Sequence, residues 1–88
     1  MKLTVLTRAG CHLCDEAMKD LRSHLGSPDY RGPAFEIEEI DIDSDDELHR
    51  RYLERIPVIQ IGGETVSEIF FEPEEFDAFI IGRPRPTG

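Results

Sequence analysis

The stretch Cys11-His12-Leu13-Cys14 contains both cysteines of this 88-residue chain. It comes directly after Lys2–Thr7, a short run that is rich in apolar and β-branched side chains, as buried strands are. It also opens a segment ending at Leu25 in which apolar side chains recur about every four residues, the pattern of an amphipathic helix. The sequence therefore predicts that the two thiols lie where a strand turns into a helix.

This position suits thiol–disulfide exchange. The unpaired N–H groups and the positive dipole end of a helix N-terminus favour a thiolate over a thiol. A spacing of three residues on the first turn puts both sulfur atoms on one face, close enough to form a disulfide. We expect Cys11 to attack and Cys14, one turn deeper, to resolve the mixed disulfide. His12 and Leu13 are candidate substrate contacts, and His12 is either a cation that favours the thiolate or an exposed side chain without such a role.

Composition narrows the class of protein. Ten basic and nineteen acidic side chains give a net charge of −9, which argues against nucleic acid or an anionic membrane as the partner. No apolar run approaches the ~20 residues of a membrane span, and no signal-peptide core is expected. We expect a cytoplasmic monomer with one domain over residues 1–82 and a flexible tail over 83–88. In the cytoplasm, paired cysteines indicate redox or metal chemistry more often than a structural disulfide.

The first half of the chain predicts one helix and a second strand. The helix is expected from about Cys11 to Leu25, with Gly26 in the left-handed conformation that often follows a helix. The strand is predicted within 35–42, where the apolar alternation slips at Glu38-Glu39. This slip indicates either a bulge or an early end of the strand.

The second half predicts a helix, a hairpin and a final helix. Ser44, followed three residues later by Glu47, fits the capping box that opens a helix. Two short apolar segments on either side of Gly62-Gly63 predict a β-hairpin, and Pro73 suits the first position of a third helix. The resulting order β-α-β-α-β-β-α predicts an α/β fold in which a mixed four-stranded sheet carries helices on both faces.

This order, with a CxxC motif at the start of the first helix and Ile56-Pro57 before the third strand, resembles the thioredoxin-fold superfamily and, within it, the glutaredoxins. The resemblance covers residues 2–81 and implies an α/β/α sandwich with dithiol–disulfide oxidoreductase activity. In that family the proline is cis and faces the dithiol, and the residue before it offers backbone groups to a bound peptide or glutathione. The matching positions here are Pro57 and Ile56. Glutaredoxins also use a basic residue three positions before the first cysteine to hold a glutathione carboxylate, and Arg8 stands at that position. The alternative is that Arg8 is a solvated charge on a loop and binds no ligand.

The chain also departs from the glutaredoxin pattern. Dithiol glutaredoxins typically carry Pro-Tyr between the cysteines, where this chain has His12-Leu13. They also follow the fourth strand with Gly-Gly and an acidic pair that bind the γ-glutamyl end of glutathione, whereas the matching stretch 67–70 has no glycine. Glu68 lies near that position and would repel the γ-glutamyl carboxylate. We therefore expect glutathione, the candidate co-substrate, to be a poor partner, and a protein or peptide disulfide that pairs along Ile56 to be the substrate.

Other interpretations of the same residues are open at this point. The two thiols could form half of a zinc or iron–sulfur site that a dimer completes, or they could be inert buried cysteines. A thioredoxin-fold protein could also bind partners through the same groove without turnover. The redox interpretation needs no cofactor, because the cysteine sulfur atoms carry the electrons. Phe70 and Phe71 would point to opposite faces of a strand, so one is expected in the core and the other beside the active-site groove.

Overall fold

The computed structural model describes residues 2–81 and confirms the predicted order of helices and strands. The tail predicted for residues 83–88 lies outside the described residues. No helix within residues 2–81 combines the length and the apolar character that crossing a membrane requires. The elements in chain order are β1 (Lys2–Thr7), α1 (His12–Leu25), β2 (Glu36–Asp41), a 3₁₀ helix (Ile42–Ser44), α2 (Asp46–Tyr52), β3 (Val58–Ile61), β4 (Glu64–Glu68) and α3 (Pro73–Ile81).

The four strands form one mixed sheet in the order β2-β1-β3-β4. β1 pairs with β2 in parallel over the full length of both strands. β1 also pairs with β3, and β3 with β4, in antiparallel orientation. Gly62 and Gly63 join the last two strands with φ angles of +59° and +85°, the left-handed conformations that a tight two-residue hairpin turn requires. β1 is therefore an inner strand, and its carboxyl end leads through residues 8–10 to the cysteine motif.

Two apolar clusters show that helices cover both faces of the sheet. Val5 of β1 is buried in the first cluster, together with Leu21 of α1 and Phe76 of α3. The next residue, Leu6, is buried in the second cluster, against which Leu48 of α2 packs. Because successive side chains of a strand point to opposite faces, α1 and α3 cover one face of the sheet and α2 covers the other. The predicted α/β/α sandwich is confirmed.

The slipped alternation in β2 does not come from a bulge. β2 pairs with β1 in continuous register and ends at Asp41, so the early end of the strand was the correct alternative. Ile37 packs against the first apolar cluster and Ile40 against the second. An edge strand that buries one isoleucine on each face produces this pattern, because residues three apart point to opposite faces.

The N-terminal cap of α2 differs from the sequence prediction. The Asp45 carboxylate accepts hydrogen bonds from the N–H groups of Glu47 and Leu48, at 2.8 and 3.2 Å. Ser44 instead belongs to the 3₁₀ helix and donates its hydroxyl group to the Asp41 carbonyl oxygen. The predicted capping box is therefore wrong by one residue, because the 3₁₀ turn occupies the position at which the helix was expected to begin.

The carboxyl end of α1 also differs from expectation. Gly26 has a φ of −89°, a right-handed conformation rather than the left-handed one predicted. Its N–H donates to the Arg22 carbonyl, and the Ser27 N–H donates to the His24 carbonyl three residues back. The helix thus ends in a tight 3₁₀-type turn, which satisfies the last carbonyl groups without a left-handed residue. Nε2 of His24 lies 2.7 Å from Oδ1 of Asp77, which joins this end of α1 to α3.

Candidate active site

Cys11 lies at the start of α1, as the sequence predicted. The chain turns before it at Gly10, whose φ of +79° disfavours any side chain. The Cys11 N–H donates to the Arg8 carbonyl at 3.3 Å. Cys11 is also the N-cap of the helix, because its Sγ accepts a hydrogen bond from the Cys14 N–H at 3.2 Å. A sulfur atom thus takes the place of the usual capping oxygen, and both the N–H group and the helix dipole favour negative charge on it.

Cys14 has the opposite environment. It is 2% exposed, whereas Cys11 is only partly buried, and both are free thiols. Burial is the main cause that raises the pKa of the Cys14 thiol to about 11, and a hydrogen bond with the Cys11 side chain adds to the rise. Hydrogen bonds with the Thr7 side chain and the Arg8 backbone lower the pKa, because they stabilise the thiolate. At neutral pH Cys14 is therefore a protonated thiol adjacent to an accessible Cys11.

An open groove of about 370 Å³ lies beside Cys11. Its walls come from three segments that are distant in sequence: the loop and first turn around Cys11, the turn between α2 and β3, and the turn after β4. The groove brings together four of the predicted site residues, namely Arg8, Cys11, Leu13 and Ile56. The described residues contain no group of three or more histidine, cysteine, aspartate or glutamate side chains suited to hold a metal ion.

The other predicted residues do not line this groove. His12 is exposed on the first turn of α1. Pro57 is fully buried, and the peptide bond between Ile56 and Pro57 is cis, as the resemblance implied. Glu68 points its carboxylate toward Arg55, with 3.8 Å between Oε2 and the guanidinium nitrogen. Neither His12 nor Glu68 therefore lines the groove beside Cys11.

Five groove residues were not predicted as site residues: Ala9 and Gly10 beside the cysteine motif, and Leu53, Glu54 and Ile69 from distant segments. Ile69 takes the place that the sequence assigned to a phenylalanine. Phe71 is 8% exposed in the core, as expected for one of the pair, but Phe70 is 61% exposed and does not line the groove. The prediction for Phe70 is wrong because β4 ends before both phenylalanines, so the alternation of a strand does not govern their directions.

Ile69 is a backbone outlier at the edge of this groove. Its φ is +69°, a value that is rare for any residue with a side chain and rarest for a β-branched one. Its N–H donates to the carbonyls of Arg55 and Pro57, at 3.2 and 2.8 Å, and the Phe70 N–H donates across it to the Glu68 carbonyl at 2.7 Å. Such a conformation costs about 1–3 kcal/mol and persists only where the surroundings fix it. A glycine, which glutaredoxins carry in the matching stretch, would adopt this conformation without the strain that a side chain causes.

Arg8, the cation that lines the groove, is already paired. Its Nε lies 2.9 Å from Oδ2 of Asp43. The other oxygen of the same carboxylate lies 3.4 Å from Nε2 of His49, and the Asp43 N–H donates to the Asp41 carboxylate at 2.8 Å. An exposed pair of this kind adds less than about 1 kcal/mol to stability. Its main effect is to counter the positive charge beside Cys11.

Comparison with known proteins identifies the family. The glutaredoxin-like domain family (DUF836) matches residues 2–80. A crystal structure of the Northeast Structural Genomics target protein XcR50 from X. campestris is 29% identical, with a TM-score of 0.69, and the match covers 93% of this chain and 99% of that one. A solution structure of XcR50 has the same identity and TM-score, and that match covers 96% and 97%. No curated protein matches the chain significantly. The chain therefore belongs to the glutaredoxin-like domain family and has a thioredoxin-like fold.

Proposed function

We propose that this protein is a dithiol–disulfide oxidoreductase in which Cys11 attacks and Cys14 resolves. The contrast between the two sulfur atoms carries this proposal. Cys11 caps α1, accepts the Cys14 N–H and lines an open groove, whereas Cys14 is buried and protonated. Because a thiolate is the attacking species and must reach the substrate sulfur, accessibility assigns the first step to Cys11. Membership of the glutaredoxin-like family supports the same chemistry.

The reaction consists of two exchanges. The Cys11 thiolate attacks one sulfur of the substrate disulfide, which forms a mixed disulfide and releases the other substrate sulfur as a thiolate. Cys14 then gives its proton to solvent and attacks the Cys11 sulfur. This step forms the Cys11–Cys14 disulfide and releases the second substrate thiolate, and both thiolates take up protons from solvent. Two electrons pass from the protein to the substrate, and an external thiol returns them by the reverse exchanges, so no cofactor is needed.

The environment of Cys14 couples the two exchanges. The Cys11 side chain helps to raise the pKa of Cys14, through its hydrogen bond and its charge. Once Cys11 is part of a mixed disulfide it carries no charge, and the pKa of Cys14 falls. The Thr7 side chain and the Arg8 backbone still favour the thiolate. Cys14 therefore loses its proton more readily after Cys11 has reacted with the substrate than before, although burial still raises its pKa.

A protein or peptide disulfide suits this groove better than glutathione does. Arg8, the candidate for binding a glutathione carboxylate, is already paired with Asp43. Ile69 lies where a glycine pair would present free N–H groups, and its own N–H is donated to two carbonyl groups. Ile56 lines the groove, and by the resemblance its backbone contacts a peptide or glutathione alike; its N–H is donated to the Tyr52 carbonyl at 3.1 Å, so the first two differences decide between the substrates. The proposed substrate is therefore a polypeptide disulfide, with glutathione a poor co-substrate.

A single-turnover experiment tests the proposal. The protein is fully reduced, separated from the reductant and mixed with a synthetic peptide disulfide, and the products are followed by intact mass and thiol counting. The expected products are one Cys11–Cys14 disulfide and two peptide thiols for each protein molecule. The variant Cys11→Ser is expected to give neither product.

The same experiment separates an enzyme from a binding protein. A protein that only binds partners through this groove would retain the peptide disulfide and keep both of its thiols reduced. That result would overturn the proposal, as would peptide reduction by Cys11→Ser at the rate of the unmodified protein.

A further inference from the structure

Exposed apolar side chains converge on the groove beside Cys11. Among the large hydrophobic side chains that are exposed in residues 2–81, Leu13, Leu53 and Ile69 line this groove, at between 37% and 40% exposure. They come from α1, from the turn after α2 and from the turn after β4. Isolated exposed hydrophobic residues are common, but a group gathered at one place indicates a surface that another molecule covers.

The position of Ile69 is fixed before any substrate arrives. Its φ of +69° is rarely adopted by a β-branched residue, and its N–H is held by the carbonyls of Arg55 and Pro57. Strained residues that hydrogen bonds hold in this way cluster at functional sites. Ile69 thus forms a preorganised apolar wall of the groove, facing the same space as Cys11.

The groove is lined by two charged residues, and in the part of the chain that the structure describes only the positive one has an ion-pair partner. Arg8 is countered by Asp43 at 2.9 Å. Glu54 is the other charged residue that lines the groove, and in the part of the chain that the structure describes it makes no ion pair. A carboxylate at the edge of an open groove attracts cationic ligands and repels anionic ones.

From these observations, and resting on the proposed dithiol function, we infer that the groove selects polypeptide disulfides of one kind. The preferred substrate carries an apolar side chain next to its reacting cysteine and a basic side chain within reach of Glu54. The apolar side chain is removed from water against Leu53 and Ile69, and the basic one pairs with the Glu54 carboxylate. An anionic tripeptide such as glutathione gains neither contact.

Four peptide disulfides test this inference in the single-turnover reaction. They are amidated, symmetric and identical except at two positions: the residue beside cysteine is Leu or Ser, and the outer residue is Arg or Glu. We expect the Leu/Arg peptide to oxidise the reduced protein fastest, with Arg favoured over Glu by about threefold or more at low salt. Glu54→Gln is expected to lower the Arg-to-Glu ratio, and Glu54→Lys to lower it further, while the part of the preference that comes from the net charge of the chain remains.

Two further variants complete the design. Leu53→Ser is expected to reduce the preference for Leu over Ser while leaving the Arg-to-Glu ratio unchanged. Glu74→Gln is the matched control, because Glu74 is an exposed carboxylate on α3 that does not line the groove. It is expected to leave both ratios unchanged.

The outcomes distinguish this inference from the proposed function on which it rests. Equal rates for all four peptides, or an Arg-to-Glu ratio that Glu54→Lys does not change, would overturn the substrate preference and leave the dithiol chemistry standing. If none of the peptides oxidises the unmodified protein, the proposed function fails, and the inference fails with it.

Discussion

Cys14 loses nearly all contact with solvent in the folded chain, and the pKa of its thiol is about 11 instead of 9.0. The folded state therefore holds this proton more tightly than the unfolded state does. The resulting stabilisation is fully present below pH 9 and is lost as the pH rises through 11. Under reducing conditions, we predict that the free energy of unfolding falls by a few kcal/mol in all as the pH rises between these limits.

The variant Cys14→Ala isolates this effect. Urea unfolding of both proteins across pH 8 to 11 gives the difference between their stabilities, from which groups common to both cancel. Tyr30 is one such group, because burial and then the charge of Asp77 raise its pKa as well. If the stability of Cys14→Ala fell as steeply with pH as that of the unmodified protein, Cys14 would not be the group that titrates.

Two substitutions test the backbone conformation of Ile69. Ile69→Gly removes the whole side chain, and Ile69→Ala removes all of it except the Cβ atom. In a helix or strand, a protein with glycine at a given position is less stable than one with alanine by about 0.5–1 kcal/mol. At the φ of +69° observed here, we predict the reverse order, with Ile69→Gly more stable by about 1 kcal/mol, since only alanine has a Cβ that clashes. Urea unfolding measures the difference.

A helical position provides the control for this comparison. Lys19 is exposed in the middle of α1, and Lys19→Ala is expected to be more stable than Lys19→Gly by about 1 kcal/mol. The same order at both positions, with alanine better than glycine, would show that residue 69 does not have a left-handed conformation in solution.

At the scale of elements, α2 is short and leads into the groove residues Leu53 and Glu54. A helix of seven residues depends strongly on its cap and its packing. Because the Asp45 carboxylate accepts two backbone N–H groups, we predict that Asp45→Ala lowers the free energy of unfolding by about 1 kcal/mol. Ser44→Ala removes one exposed hydrogen bond and is expected to cost about half as much or less. A larger loss for Ser44→Ala would restore the capping box that the sequence suggested.

The helices and strands themselves were largely predictable from the sequence. The periodicity of apolar residues shows where strands and helices lie, and Gly62, Gly63 and Pro73 mark where elements begin or end. Both signals are local properties of the chain. The cap of α2 was not predictable, because Ser44 and Asp45 are both good N-cap residues. The choice between them depends on the 3₁₀ turn that packs Ile42 into the second apolar cluster. That turn is fixed by tertiary contacts rather than by local pattern.

At the scale of the whole molecule, the site was predictable only in part. The cysteine pair was found because both residues share one helical turn. Leu53, Glu54 and Ile69 reach the groove from segments that are about 40 or more residues from Cys11 in sequence, and no local pattern marks them. The pairing of Arg8 with Asp43 was missed for the same reason, because β1 and β2 bring the two side chains together by lying in parallel.

The net charge of the whole chain gives another prediction. A charge of −9 acts over the Debye length, which shrinks from about 30 Å to about 10 Å as salt rises from about 10 to 100 mM. We predict that added salt slows oxidation of the protein by a peptide disulfide carrying Arg and speeds oxidation by one carrying Glu. Stopped-flow rates measure both. Glu54→Gln removes one charge of many and should retain most of this salt dependence. Rates independent of salt would contradict a role for the overall charge.

Trapping the first intermediate tests the assignment of Cys11 as attacking thiol and Cys14 as resolving thiol most directly. Reduced Cys14→Ser and Cys11→Ser are each mixed with a peptide disulfide at pH 7, and intact mass with fragmentation locates any adduct. We predict a stable one-to-one mixed disulfide on Cys11 of Cys14→Ser, because no second thiol remains to displace the peptide. In Cys11→Ser, the buried Cys14 is expected to form an adduct far more slowly. An adduct on Cys14 that forms as fast as the one on Cys11 would contradict the assignment.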